Sequence, residues 1–216
     1  MSVVSTAELL LLISALAAIA VLQFFRGRKQ NLIMLKIAAE TLEKVFSPVD
    51  KIYRIVGIYV GFQAVYWLHR KNLDHAEATV LLLPRYSAFY FPVSKAVNRF
   101  DKIYLTFWFA RKSVFNEIHV VREGAYRRSL RSVIRNFSRL AVSETVVKGV
   151  RFFIAKDGDS GLNKILRFLE SLRDPSRVMH VALVPENNSL YIFARFDVDS
   201  LEELASESYK LAMSLA

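Results

Sequence analysis

The chain has 216 residues, a net charge of +10 and a sequence pI of about 9.9. It contains no cysteine, which excludes disulfides, cysteine-based zinc sites and thiol catalysis. A chain this basic has two natural classes of partner, anionic lipid headgroups and nucleic acid.

The first element is Leu9 to Phe25, LLLLISALAAIAVLQFF, an uncharged run whose one strongly polar side chain is Gln23. A helix rises about 1.5 Å per residue, so a bilayer core of about 30 Å is crossed by roughly 17–25 apolar residues. A cleavable signal peptide has a basic residue before its apolar core and a small-x-small site after it. Here nothing basic precedes the run, and Phe24 and Phe25 close it. Residues 9–25 therefore read as an uncleaved transmembrane helix. Glu8 stands on one flank, and Arg26, Arg28 and Lys29 stand on the other. Positive residues stay on the cytoplasmic side. The expectation is a single-pass protein of the cell membrane, with residues 1–8 outside and 26–216 a cytosolic domain.

Asn31 to Phe46 has helical spacing of Leu32, Leu35, Ala39, Leu42 and Phe46, and Ser47-Pro48 ends it. Lys51 to Leu68 is β-rich, with Gly57 and Gly61 marking a bulge or a tight bend. A polar turn over 69–75 leads to a strand over 77–83, stopped by Pro84. Pro92 opens a short helix that ends near Asn98. Tyr86, Phe89, Tyr90 and Phe91 fit a place in the core; the alternative is an aromatic face at the membrane interface. Strands follow over Lys102–Ala110 and Glu117–Val121.

Ala125 to Val142, AYRRSLRSVIRNFSRLAV, predicts an amphipathic helix. At about 100° per residue Arg128, Arg131, Arg135 and Arg139 form one stripe, opposite Leu130, Val133, Ile134, Phe137, Leu140 and Ala141. Then come a strand over Thr145–Lys156 and a helix over Leu162–Arg173, with Ile165, Leu166, Phe168, Leu169 and Leu172 inward. A hairpin of Val178–Val184 and Leu190–Phe196 turns on Glu186-Asn187-Asn188. Ser200 and Glu203 have capping-box spacing and start a last helix to about Leu215. The order predicts an α+β sandwich, with helices on one face of an antiparallel sheet. Residues 47–124 and 125–216 are possible subdomains.

Catalytic signatures are sparse. No two of His69, His75, His119 and His180 have metal-ligand spacing, and neither HExxH nor GxSxG occurs. Each histidine reads as structural or surface. Asp157-Gly158-Asp159-Ser160-Gly161 lacks the later ligands of a calcium loop, and reads as a turn with Asp159 or Ser160 capping the next helix. The expectation is a non-enzymatic chain with no cofactor, no metal and no small-molecule substrate.

The arginines carry the strongest functional signal. Arg122, Arg127, Arg128, Arg131, Arg135 and Arg139 are offset in their stretch only by Glu123. The bland alternative is a solvated helix face, but such a face mixes signs to avoid self-repulsion. Arginine suits bidentate phosphate contact, so nucleic acid or lipid phosphate would each satisfy the stripe.

The layout also resembles a known family. A span followed by Arg26-Gly27-Arg28-Lys29 leads to a helix ending Leu42-Glu43-Lys44-Val45-Phe46. Next come Gly61-Phe62-Gln63-Ala64-Val65-Tyr66, Leu83-Pro84-Arg85 and the strand Ile103–Phe109. Leu190-Tyr191-Ile192-Phe193-Ala194-Arg195-Phe196 stands before the terminal helix. This is similar to calumin, the single-span endoplasmic reticulum protein. The resemblance implies a non-enzymatic subunit of the multipass translocon, lying between the ribosome and the Sec channel and assisting membrane-protein insertion. Two departures from that pattern are expected, a short segment before the span and no tail-mediated contact with the ribosome. Docking on ribosomal RNA would then fall to the arginine stripe, and anionic lipid or a protein partner is the alternative.

Overall fold

A single helix, α1, runs unbroken from Thr6 to Phe46 in the computed structural model, which describes residues 5–112, 114–126, 130–135 and 137–216. Ser5 and Glu8 close a capping box at its start, and Ser47 ends it in a left-handed conformation just before Pro48. The apolar run and the amphipathic helix expected from Asn31 are thus one 41-residue rod, about 62 Å long at roughly 1.5 Å per residue. Among the described residues it is the one helix long and apolar enough to cross a membrane, and it suits a single-pass membrane protein.

The rest is an α+β domain built on one nine-stranded antiparallel sheet. Its strands are β1 (Asp50–Gly57), β2 (Gly61–Arg70), β3 (Leu73–Leu81), β4 (Lys102–Phe109), β5 (Ile118–Arg122), β6 (Ala141–Val147), β7 (Val150–Lys156), β8 (Val178–Val184) and β9 (Ser189–Arg195). They lie side by side in the order β1-β2-β3-β4-β9-β8-β5-β7-β6. One sheet therefore runs through both of the expected subdomains, 47–124 and 125–216, with β5 of the first inserted between β8 and β7 of the second.

Alternation sets the two faces. Phe62, Ala64, Tyr66 and Leu68 of β2, and Ile103, Leu105, Phe107 and Phe109 of β4, point to one side and are buried. The second half of α1 covers that side together with α3 (Leu162–Ser171) and α4 (Leu201–Leu215). Phe46 is fully buried there, its ring 5.5 Å from Tyr66, 5.6 Å from Phe107 and 5.8 Å from Tyr209. The buried stripe of α1 is Gly27, Asn31, Ala38, Leu42 and Phe46, so Leu32, expected inward, is exposed.

Several local expectations change. The predicted strand 145–156 is two strands, β6 and β7, joined at Lys148-Gly149. Both residues have positive φ, the tight-hairpin geometry that matches the twist of the strands. Among the described residues of Ala125–Val142 no α-helix forms. Ala141 and Val142 pair with Lys156 and Ala155 in the sheet instead, and the described residues before them make two short 3-10 turns, Leu130–Ser132 and Phe137–Arg139. The segment contains Ser129, Ser132, Asn136 and Ser138, residue types whose side chains compete with helical backbone bonding. Neither Asp159 nor Ser160 caps α3 with its side chain: Gly161 is the capping residue, and the Ser160 hydroxyl donates to the Val114 carbonyl. The capping box at Ser200 is also absent, because Ser200 bonds Asp197 and Glu203 accepts from the Arg173 N–H.

Candidate functional site

Two regions outside the apolar core concentrate polar and charged groups. The first is the seam where α1 enters the domain. Gly27 permits it: a Cβ there would lie 2.2 Å from the Arg85 carbonyl oxygen, so only glycine lets that backbone approach. One turn earlier the Gln23 amide donates to the same carbonyl at 2.7 Å. One turn later Asn31, fully buried, donates to the carbonyls of Tyr59 at 2.7 Å and Leu83 at 2.9 Å.

Arg85 closes the seam. Its guanidinium grips Asp101 with both nitrogens, at 2.9 and 2.5 Å, and also reaches the Asn31 side-chain oxygen at 3.3 Å. Asp101 is buried and takes the Leu83 N–H as well, at 2.6 Å. The polar atoms that leave water here thus find partners, as burial demands. The result binds α1 to the connections between β3, α2 (Tyr90–Asn98) and β4.

Aromatic rings surround this seam. Tyr86 packs edge-on against Phe24 and Tyr59, at 6.4 and 5.9 Å. Arg28 lies 4.8 Å over the Tyr59 ring, while Arg26 and Lys29 point to solvent. The core assignment for the aromatics of 86–91 fails at its tip: Phe89, Tyr90, Val93 and Val97 are 75, 57, 56 and 57% exposed. The inward side of α2 is instead marked by buried Ser94, whose hydroxyl accepts from the Asn98 amide.

The second region lies on the opposite face of the sheet. Here β5 and β8 bring His119 and His180 together, both buried, with Nδ1 of the first 3.1 Å from Nε2 of the second. Tyr126 reaches His180 Nδ1 at 2.8 Å, and Glu117 reaches His119 Nε2 at 3.2 Å. One direction of donation satisfies the whole row: Tyr126 O–H to His180, His180 N–H to His119, His119 N–H to Glu117. Burial, and then His119, push the His180 pKa down to about 3. Burial lowers that of His119 against the opposing pull of Glu117, and burial raises that of Tyr126 to about 12. Both imidazoles are therefore neutral at pH 7 and act as hydrogen-bonded core. Sequence reasoning missed this row because His180 lies 61 positions from His119 and 54 from Tyr126; the spacing of Glu117 and His119, two apart at the start of β5, was the available signal.

The arginine segment covers the neighbouring part of that face. Ile134 and Leu140 are buried against Val121 and Ala155. Arg131, Arg135 and Arg139 are exposed, with Arg131 6.0 Å over the Phe137 ring. Arg127 and Arg128 lie outside the described residues. Arg122 does not belong with the others: it ends β5, is half-buried and donates to the Ser176 carbonyl at 2.6 Å. Among the described residues the expected helical stripe is thus replaced by three exposed guanidinium groups, Arg131 and Arg139 on the two 3-10 turns and Arg135 between them.

A cleft of about 460 Å³ opens beside α4, lined by Arg173, Asp174, Arg177, Arg195, Asp197 and Glu203 among others. Arg177 bonds both Asp174 and Asp197, so much of its charge is already neutralised inside the cleft. No group of three or more metal-ligating side chains occurs among the described residues.

No protein-family model matches the chain, and no curated protein matches it.

Proposed function

We propose that this chain is a membrane-anchored, non-enzymatic adaptor that holds a cationic surface at a fixed place beside the bilayer. Its N-terminus lies outside and its α+β domain in the cytoplasm. The observation that carries this reading is the unbroken passage of α1 from its apolar half into the domain core, locked by Gln23, Asn31, Arg85 and Asp101. A flexible tether would leave the domain free to tumble. A continuous clamped helix gives it one height and one tilt, which serves a protein whose task is to meet a large partner at the membrane.

The partner of this reading is phosphate-bearing. Arg131, Arg135 and Arg139 stand exposed on the sheet face opposite α1. They lie over β5 and β7, three to four strands from β4, or roughly 14–19 Å at about 4.8 Å per strand. That displacement takes them off the seam and favours a partner approaching from solution. Ribosomal RNA at a Sec channel engaged in multipass-protein insertion, the role implied by the likeness to calumin, is the specific form of the proposal. Phosphate contacts of this kind position without reading sequence and weaken with salt. In low-salt co-sedimentation with ribosomes the full-length protein binds, and Arg131→Glu with Arg135→Glu releases it. Unchanged co-sedimentation of the double variant removes these arginines from the mechanism.

A further inference from the structure

The surface of α2 is inverted relative to an ordinary domain helix. At about 100° per residue Phe89, Val93, Val97 and Tyr90 fall within an arc of roughly 100°, and that arc faces out. The side facing in begins at buried Ser94, next to Tyr90, and continues through the partly buried Asn98 and Phe91. A helix that packs only on its own domain puts its apolar stripe inward.

The place of α2 explains the inversion. Gln23 lies in the last turn of the apolar run and holds the Arg85 carbonyl, so residues 85–90 sit level with the end of that run. The exposed Ile55, Val56 and Ile58 lie at the β1–β2 turn, whose Tyr59 touches Arg28 and Tyr86. Phe24, Phe25, Tyr59, Tyr86, Phe89 and Tyr90 thus form an aromatic belt where α1 leaves its apolar stretch. Aromatic belts mark the membrane–water interface. Cations stand around the same level, Arg26, Arg28 and Lys29 in the turn of α1 that follows the apolar run. An apolar face level with an apolar span, edged by cations, fits anionic phospholipid headgroups above acyl chains.

We infer that α2 and the β1–β2 turn form a second membrane contact, lying in the interface of the leaflet from which α1 emerges, with Phe89, Tyr90, Val93 and Val97 inserted and Arg26 and Lys29 of α1 at lipid phosphates. This rests on α1 being a membrane span. It makes the domain bind the bilayer at two points, so its orientation is set by lipid as well as by the seam.

The absence of cysteine makes the test direct. Full-length Val93→Cys, Val97→Cys, Val146→Cys and Leu16→Cys, each carrying an environment-sensitive fluorophore, are reconstituted into vesicles of phosphatidylcholine and phosphatidylglycerol. Quenching by shallow spin-labelled lipids is compared with quenching by aqueous iodide. Labels at 93 and 97 are expected to be quenched by lipid severalfold more than the label at 146, an exposed valine on β6 at the far edge of the sheet. The label at 16, within the apolar run, is expected to be quenched by deeper spin labels. If 16 lies in lipid while 93 and 97 respond to iodide like 146, the second contact is overturned and the span survives. If 16 also responds to iodide, the membrane reading falls and takes this inference with it.

Discussion

The seam around Asn31 and the arginine segment over the open sheet face are built on opposite terms. In the seam, charge is buried and consumed: Arg85 is spent on Asp101 and Asn31, and the backbone carbonyls of Tyr59 and Leu83 are satisfied by one amide. In the segment, charge is left over: Arg131, Arg135 and Arg139 point to water while Ile134 and Leu140 hold the backbone down. The difference separates charge used for cohesion from charge left at the surface. Arginines already paired fix the domain on its helix, and arginines without such burial remain available to a partner. Counting basic residues along the sequence does not distinguish the two.

The sharpest way to break the contrast is to remove one partner of the seam. Asp101→Ala leaves the Arg85 guanidinium and the Leu83 N–H without their acceptor in a buried place. Losing one side of a buried ion pair costs about 3–5 kcal/mol. Arg85 keeps some contact with solvent, so the expected loss lies near about 3 kcal/mol, read by denaturant unfolding of the reconstituted protein. A loss no larger than that of an exposed substitution would mean that the seam does not hold the domain.

A smaller effect is expected from the histidine row. The His180 pKa is about 3 when folded, below the ordinary value of 6.5. Below about pH 6.5 the unfolded chain binds a proton that the folded chain refuses, so stability falls as pH drops from about 6.5 towards about 3. Between about pH 7 and about pH 5 this amounts to about 2 kcal/mol from His180. His180→Gln removes the titration while keeping hydrogen-bonding capacity, and its unfolding free energy is expected to change less over the same interval. Parallel pH slopes for the two proteins would deny His180 this part.

Patterns of period two and apolar length made much of the fold legible. The span, β4, the β8–β9 hairpin and α4 follow from short-range regularities that tertiary contacts only reinforce. The Lys148-Gly149 turn was legible in principle but hidden, because a positively charged residue before glycine is a weaker hairpin signal than asparagine. The arginine segment misled for a different reason. Its apolar residues have helical spacing, yet Ala141 and Val142 join β6, and the described residues before them bury Ile134 and Leu140 on the sheet from two 3-10 turns. The seam was not legible, since Asn31, Arg85 and Asp101 meet across 54 and 16 positions of chain. The outward face of α2 was visible only as an ambiguity, because an aromatic cluster has the same composition whether it faces protein or lipid.

The smallest expected effect completes the contrast from the other side. Arg131→Glu with Arg135→Glu removes one weak contact, the Arg131 guanidinium over Phe137, and otherwise changes exposed groups. Surface changes of this kind stay within about 0.5 kcal/mol of the parent. Denaturant unfolding of the double variant is therefore expected to match the parent, although the same variant is the one expected to lose ribosomes. A stability loss comparable to Asp101→Ala would show that these arginines serve cohesion after all. Release from ribosomes would then report unfolding rather than a broken phosphate contact, and the division between consumed and available charge would not stand.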